Sequence, residues 1–226
     1  MPMSLPYNTI LFDLDGTLTD PKEGITKSIA HALNRMEIAV PDLEELTQFI
    51  GPPLMISFKE YFQMNDEEAN SALQFYRERF STKGLYENIV YEHIDDLLKH
   101  LKHNGYKLAI ATSKPTVFAE IILKHFALYD YFDAVVGSEL DGSRSLKGEV
   151  ISEALRRLSV TNKEDCVMIG DRKHDIIGAT QNGIDSIGVT YGYGSKKELE
   201  DANATYIVHS VKSFHIIFGN NFVNFS

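Results

Sequence analysis

Residues 7–12 form a largely apolar stretch that runs directly into Asp13-Leu14-Asp15-Gly16-Thr17. Side chains alternate along an extended strand, so Asp13 and Asp15 share a direction only if the strand continues past them. Gly16 predicts that it does not, because glycine permits a tight departure and leaves backbone N–H groups open to an anion. The two carboxylates suit a hard cation such as Mg²⁺. The pattern favours a catalytic strand end, although a strand closed by an ordinary Asp-Gly turn has the same local sequence.

From Tyr91 onward, amphipathic helices alternate with short apolar strands. This order predicts a doubly wound, mostly parallel α/β sheet of Rossmann-like type, covered by helices on both faces. The preceding segment reads as helical, with a break at Ile50-Gly51-Pro52-Pro53-Leu54 and a helix start at Asn65. The sequence therefore predicts a core of residues 1–20 and 89–226 interrupted by a helical cap at residues 21–88. Strands after the cap are expected at residues 107–112, 133–136, 165–169, 186–189 and 206–208.

Composition narrows the classes of function. The 226 residues include 22 Lys and Arg against 32 Asp and Glu, a formal charge of −10. This balance disfavours nucleic-acid polymers and anionic membranes as partners, because both need a positive surface. Cys166 is the single cysteine, so no intramolecular disulfide forms, and its apolar neighbours predict a core position. With no leader-like start and no apolar run of membrane-spanning length, a cytoplasmic location is expected.

Three later segments place polar side chains where a strand ends or a helix begins. Thr112 and Ser113 follow an apolar strand, where their hydroxyls can bind phosphate or cap the next helix. Lys147 precedes an amphipathic helix and can neutralise a phosphate or remain a solvated surface lysine. Asp171 ends another strand and Asp175 lies one turn later, which suits a metal site or the helix dipole. In a parallel sheet these strand ends are expected to converge on one crevice.

The order of these residues resembles the haloacid dehalogenase-like superfamily, and specifically its phosphatases related to phosphoglycolate phosphatase and 5′-nucleotidases. Asp13-Leu14-Asp15-Gly16-Thr17 matches the first family motif and Thr112 the second. Lys147 matches the third, and Gly170-Asp171 with Asp175 the fourth. The helical segment after the first motif matches the family's cap. The resemblance therefore covers nearly the whole chain.

The resemblance implies Mg²⁺-dependent hydrolysis of small phosphate monoesters, with a small phosphorylated metabolite as the substrate. Asp13 is then the nucleophile that forms an aspartyl-phosphate, and Asp15 protonates the leaving alcohol and activates water. Mg²⁺ would be held by Asp13, the backbone carbonyl of Asp15 and Asp171, with Asp175 in support. The residues implied for phosphoryl binding are Gly16, Thr112, Ser113 and Lys147, and those for substrate specificity are Gly51, Pro52 and Pro53 of the cap loop.

Several alternatives stay open at the level of sequence. A sugar-phosphate phosphomutase uses the same aspartyl-phosphate, and a noncatalytic phosphoryl-binding protein retains the same fold. The choice between phosphoglycolate and nucleoside 5′-monophosphates depends on the cap surface, and the oligomeric state is undetermined. The phenylalanine-rich tail, Phe214 to Phe225, has no pattern that decides between core packing, a subunit contact and loose order. Tyr191-Gly192-Tyr193-Gly194 is interpreted as an ordinary glycine-rich turn.

Overall fold

A six-stranded parallel sheet lies at the centre of the protein, whose computed structural model describes residues 7–219. The strands within these residues are β1 (Thr9–Phe12), β2 (Thr19–Asp20), β3 (Ile89–Val90), β4 (Lys107–Pro115), β5 (Ala134–Ser138), β6 (Cys166–Gly170), β7 (Asp185–Val189) and β8 (Tyr206–Val208). Six of them pair in the order β5-β4-β1-β6-β7-β8, and each pair is parallel. After β1, the chain adds β4 and β5 on one side and then β6, β7 and β8 on the other. This order confirms the predicted doubly wound arrangement.

Helices cover both faces of this sheet and also make up the segment between β2 and β3. The helices within residues 7–219 are α1 (Lys22–Arg35), α2 (Leu54–Phe62), α3 (Asp66–Arg79), α4 (Ile94–His103), α5 (Thr116–His125), α6 (Lys147–Arg157), α7 (Lys173–Asn182), α8 (Lys196–Asp201) and α9 (His215–Phe218). Shorter 3₁₀ turns lie at Glu45–Phe49, Tyr129–Tyr131, Lys163–Asp165 and Val211–Phe214, and a π turn at Phe80–Gly84. Within the described residues, no helix is both long and apolar enough to cross a membrane.

The alternation of side chains along β1 produces two buried clusters. Ile10 and Phe12 pack on one face with apolar residues of α4 and α5. Leu11 packs on the other face with residues of α6 and α7. This two-sided burial explains why Ile10, Leu11 and Phe12 of β1 are all apolar, without alternation between apolar and polar side chains. Cys166 belongs to the second cluster and is buried with a free thiol, which confirms its predicted core position.

The helical segment between β1 and β4 is bounded by a small antiparallel pair. β2 and β3 pair through Thr19 with Val90 and Asp20 with Ile89. The sequence did not reveal these strands, because two residues cannot establish a periodic pattern. α1, α2 and α3 lie between them. The predicted start of α3 is confirmed, since Asn65 Oδ1 accepts from the Glu68 N–H at 3.0 Å and Glu68 Oε2 accepts from the Asn65 N–H at 2.9 Å.

Most later strands lie within a residue or two of their predicted bounds. The largest difference is β4, which was expected to end at Thr112 but continues to Pro115, with a shift in register after Ala111. Hydroxyl residues, a lysine and a proline suggested a turn, but pairing with β5 extends the strand through them. Polar residues at this position therefore belong to a strand end and not to a loop.

The described part of the C-terminal segment packs on the core. Phe214 and Phe218 are buried, and their rings stack with centroids 5.9 Å apart. Phe218 also meets the edge of Tyr106 at 5.7 Å between centroids. These contacts favour core packing for the first half of the phenylalanine-rich tail. Residues 220–226, which complete it, lie outside the described residues.

Candidate active site

The site begins where β1 ends. Asp13 follows the last residue of the strand, and its Oδ1 accepts from the Leu14 N–H at 2.8 Å. Asp13 and Asp15 are both buried. Asp13 Oδ1 lies 3.0 Å from Lys147 Nζ, whereas Asp15 Oδ2 lies 2.8 Å from Lys114 Nζ. The two carboxylates therefore have separate cationic partners, as expected if the strand does not continue through them.

Gly16 makes room for a second strand end. Its φ of +79° is a left-handed conformation that favours glycine, and a Cβ there would lie 2.3 Å from Asp171 Oδ2. The predicted turn is therefore present. The expectation that its N–H is open to an anion is wrong, because Gly16 N–H donates to Thr19 O at 2.8 Å. The Leu14 N–H is likewise occupied by Asp13, so Gly16 contributes space and conformation in this structure.

Three buried carboxylates converge beside Gly16. Oxygens of Asp13, Asp171 and Asp175 all lie within 4.8 Å of one another. Asp171 Oδ2 accepts from the Tyr193 N–H at 2.7 Å, while its Oδ1 has no hydrogen-bond partner among residues 7–219. Burial, reinforced by the charges of Asp175 and Asp13, raises the pKa of Asp171 well above its ordinary value. An unpartnered carboxylate oxygen in such a cluster fits a hard divalent cation, which takes oxygen ligands.

Lys147 is the buried cation of this cluster. It is the first residue of α6, and its Nζ lies 3.0 Å from Asp13 Oδ1 and 2.8 Å from Asp175 Oδ1. Nζ also donates to Ala111 O at 3.0 Å, which accounts for the three donors of an ammonium group. Burial by itself would lower the pKa of Lys147, but the two carboxylates raise it. At 6 % exposure, the alternative of a solvated surface lysine is wrong.

The end of β4 brings hydroxyl groups to the same edge. Thr112 is buried, and its Oγ1 accepts from the Lys114 N–H at 3.3 Å, so its own hydrogen stays available to donate. Ser113 is half-buried, and its backbone oxygen accepts from Ser138 Oγ at 2.9 Å. Both predicted phosphate-binding hydroxyl residues thus lie at the carboxyl edge of the sheet, next to the strand end that holds Asp13.

Two contributors were not identified from the sequence. Lys114, two residues after Thr112, is buried against Asp15 and lies 4.5 Å from the centre of the Phe80 ring. The Tyr191–Gly194 turn, interpreted as ordinary, closes over Asp171. A Cβ on Gly192 would lie 2.5 Å from Asp171 Cβ, and one on Gly194 only 1.8 Å from its backbone oxygen. The paired Tyr-Gly spacing after β7 was the available signal, because close backbone approach needs glycine.

The Gly51-Pro52-Pro53 loop lies over the strand ends between two cavities. The Asp15 cavity, of about 160 Å³, is bounded by Asp15, Ser113 and Lys114 as well as by all three loop residues. The Lys147 cavity, of about 580 Å³, is bounded by Lys147 and Arg172 together with Pro52 and Pro53. The loop residues predicted to contact substrate are thus close to both the acidic and the basic side chains of the site.

Arg172 joins this loop to the sheet edge. Its Nη1 donates to Ile50 O at 2.6 Å, and its Nε donates to Glu198 Oε1 at 3.0 Å. Its side chain also packs against Gly51, where a Cβ would lie 2.7 Å from Arg172 Cγ. Because Arg172 directly follows Asp171, the loop position is coupled to the acidic cluster.

The parallel sheet and its helices define a doubly wound α/β protein, and its polar strand ends meet at the carboxyl edge, where open sheets of this type bind ligands. The chain matches the haloacid dehalogenase-like hydrolase family over residues 10–189. It is 50 % identical over 203 residues to a 5′-nucleotidase of Pseudomonas aeruginosa, a match that covers 90 % of this chain and 91 % of that protein. The chain therefore belongs to the haloacid dehalogenase-like hydrolases and is an enzyme of that family.

Two further relatives are similar to most of this chain. The crystal structure of a predicted phosphatase from Clostridium acetobutylicum is 54 % identical, has a TM-score of 0.90, and is matched over 94 % of this chain and 97 % of that one. The tyrosine-protein kinase PtkA of Mycobacterium tuberculosis is 38 % identical over 201 residues, which cover 89 % of this chain and 68 % of that protein. The fold thus serves relatives whose names describe both removal and transfer of phosphoryl groups.

Proposed function

We propose that this enzyme hydrolyses small phosphate monoesters, of the phosphoglycolate or nucleoside 5′-monophosphate class, through an aspartyl-phosphate and with Mg²⁺. The observation that carries the proposal is the buried group of Asp13, Asp171, Asp175 and Lys147 at the end of β1, with Asp15 beside it. The similarity to a 5′-nucleotidase at 50 % identity supports the substrate class.

In the proposed first step, Asp13 is the nucleophile and Asp15 the general acid. An Asp13 carboxylate oxygen bonds to phosphorus as the ester P–O bond breaks, and Asp15 gives its proton to the departing oxygen. Burial raises the pKa of Asp15, and the charge of Lys114 opposes that shift. In the second step Asp15 takes a proton from the water that attacks the aspartyl-phosphate. Phosphate leaves, and both aspartates return to their starting forms.

Binding of the phosphoryl group is assigned to three side chains. Thr112 donates from its hydroxyl, Ser113 lies beside it at the cavity wall, and Lys147 supplies positive charge next to Asp13. Gly16 acts here by leaving space, since its N–H is bonded to Thr19.

The acidic cluster is assigned to the metal. Asp13 and Asp171 would hold Mg²⁺ together with the Asp15 backbone carbonyl, and Asp175 would support it from its contact with Lys147. When bound, Mg²⁺ reduces the repulsion between an anionic nucleophile and an anionic phosphate. The unpartnered Asp171 Oδ1 is the observation that supports this assignment.

We also propose that residues 1–20 and 89–226 act as the catalytic core and residues 21–88 as a cap that covers it. The short β2–β3 pair lies at the boundary, and Gly51, Pro52 and Pro53 are candidates for contact with the leaving group. Closure over the strand ends would exclude bulk water from the reaction.

The test is phosphate release from phosphoglycolate, nucleoside monophosphates, sugar phosphates and pyrophosphate, with and without Mg²⁺. Asp13→Asn is the control, because it removes the nucleophile while keeping side-chain size. Release that needs both Mg²⁺ and Asp13 supports the proposal. Isomerised sugar phosphate without release favours a phosphomutase. Binding without turnover favours a noncatalytic protein.

A further inference from the structure

One face of α3 and the turn after it forms a wall of the Asp15 cavity. Leu73, Tyr76, Arg77 and Phe80 all border this cavity. Their spacing of three and four residues places them on one side of the helix. Tyr76 and Phe80 stack with ring centroids 5.0 Å apart, so the wall is mainly apolar and aromatic. Arg77 introduces the positive charge of this face.

Within the described part of the chain, Arg77 differs from the other charged groups around the cavity because its guanidinium has no acidic partner. No carboxylate of residues 7–219 pairs with Arg77. In contrast, Asp15 pairs with Lys114, and Glu139 pairs with Arg144. Arg79, only two residues further on, pairs with Glu87 at 2.7 and 2.8 Å. In a chain with 32 acidic residues, the missing partner of Arg77 is not explained by a shortage of carboxylates.

The guanidinium of Arg77 is also partly removed from water. The residue is half-buried, and burial lowers the pKa of Arg77 from its ordinary value. A guanidinium at the wall of a cavity presents a planar set of donors that matches a carboxylate or a phosphate. A bound anion would therefore supply the interaction that the protein itself does not provide.

We propose that Arg77 binds an anionic group, a carboxylate or a second phosphate, on the leaving group of the substrate. This inference rests on the proposed function, in which Asp15 protonates the leaving group and so places it in the Asp15 cavity. The cavity of about 160 Å³ compares with roughly 150 Å³ for an engineered cavity that binds benzene. A short anionic leaving group fits this space.

The test compares kcat/KM for three substrates in wild type and Arg77→Gln. 2-Phosphoglycolate presents a carboxylate, pyrophosphate presents a second phosphate, and 2-hydroxyethyl phosphate is neutral beyond its phosphoryl group. We expect Arg77→Gln to lower kcat/KM about 10- to 100-fold for the anionic substrate that is used, and less than about threefold for the neutral one. Arg77→Lys should recover part of the loss. The anionic substrate that is affected identifies the group that Arg77 binds.

Lys83→Gln is the matched control. It removes the same charge from an exposed position in the following turn that does not border the cavity, and should leave all three values unchanged. Equal losses for charged and neutral substrates with Arg77→Gln, or a wild-type preference for the neutral ester, would overturn the role of Arg77 while leaving the proposed phosphatase activity in place.

If no ester is hydrolysed, calorimetry on Asp13→Asn tests the role of Arg77 by binding alone. The double variant Asp13→Asn/Arg77→Gln must bind 2-phosphoglycolate or pyrophosphate at least tenfold more weakly than Asp13→Asn alone. Equal binding by the two proteins would overturn the proposal.

Discussion

Gly16 and Gly105 share a positive φ but have different surroundings. Substitution of each glycine by alanine therefore distinguishes the cost of backbone strain from the effect of a clash with the site. Gly16 has φ +79° and Gly105 has φ +81°. A Cβ on Gly16 would strike Asp171, whereas nothing lies within 4 Å of the same position on Gly105. We predict that Gly105→Ala costs about 1–2 kcal/mol of stability and keeps its activity. Gly16→Ala should cost more and lower kcat/KM about 100-fold by displacing Asp171.

Urea unfolding and phosphate release measure the two effects of these glycine substitutions. The comparison is direct because both substitutions add one methyl group in a left-handed conformation. Equal stability losses together with full activity in Gly16→Ala would show that Asp171 can move without consequence for the reaction.

Asp171 itself is predicted to oppose folding when no metal is bound. Its carboxylate is buried beside Asp13 and Asp175, and one of its oxygens has no partner. Asp171→Asn removes a negative charge while an amide oxygen can still accept from the Tyr193 N–H. We expect the free energy of unfolding in EDTA to rise by about 1–2 kcal/mol, as activity is lost. The measurement is urea denaturation with a chelator.

The exposed Asp130, in a short 3₁₀ turn, supplies the control for this prediction. Asp130→Asn makes the same chemical change away from the cluster and should alter stability by less than about 0.5 kcal/mol. A less stable Asp171→Asn protein in EDTA would mean that the carboxylate contributes more through its hydrogen bond than it costs through repulsion.

At the scale of elements, local sequence patterns predicted the strands of the six-stranded sheet but not the separate, short β2–β3 pair. The apolar stretch ending at Phe12 is long enough to identify a strand, whereas Thr19–Asp20 is too short to show any period. Lys147 and Lys114 illustrate the same limit at the site. Nothing around either lysine in sequence distinguishes burial from exposure. Lys147 pairs with Asp13 and Lys114 with Asp15, carboxylates more than 90 residues earlier in the chain, which only the folded sheet brings near.

The link between α7 and the loop at residues 50–53 yields a prediction about motion. Arg172 at the start of α7 holds the Ile50 carbonyl, and no other hydrogen bond to that carbonyl occurs within residues 7–219. Arg172→Ala should therefore increase amide hydrogen exchange across residues 46–56 by about tenfold, because a charged donor contributes on the order of 1.5–3 kcal/mol. Mass spectrometry of exchange in the free enzyme measures it.

Arg156→Ala serves as the comparison for the loop prediction, since Arg156 is exposed on α6 and, among residues 7–219, its side chain bonds only to Glu153. Exchange in the loop should be unchanged in that variant. Unaltered protection after Arg172→Ala would instead assign the loop's order to its two prolines and their packing.

Across the whole molecule, the buried charges do not balance. The charged side chains buried within residues 7–219 are Asp13, Asp15, Asp171 and Asp175 against Lys114 and Lys147. Four carboxylates and two ammonium groups, when ionised, leave two negative charges, which equal the charge of one divalent cation. Buried charge without compensation is costly, so stability of the whole fold should be linked to metal binding.

This linkage predicts a large and specific effect of Mg²⁺ on thermal unfolding. At a concentration 100 times its Kd, a ligand that binds only the folded state adds about 2.7 kcal/mol of stability. For a chain of this size that corresponds to a rise in Tm of roughly 5–11 °C, measurable by calorimetry. NaCl at equal ionic strength should produce much less, because it screens surface pairs but cannot replace a ligand in the acidic cluster. Asp171→Asn should lose the shift. An equal response to both salts would show that the excess negative charge is neutralised by protons in the folded enzyme and not by a bound cation.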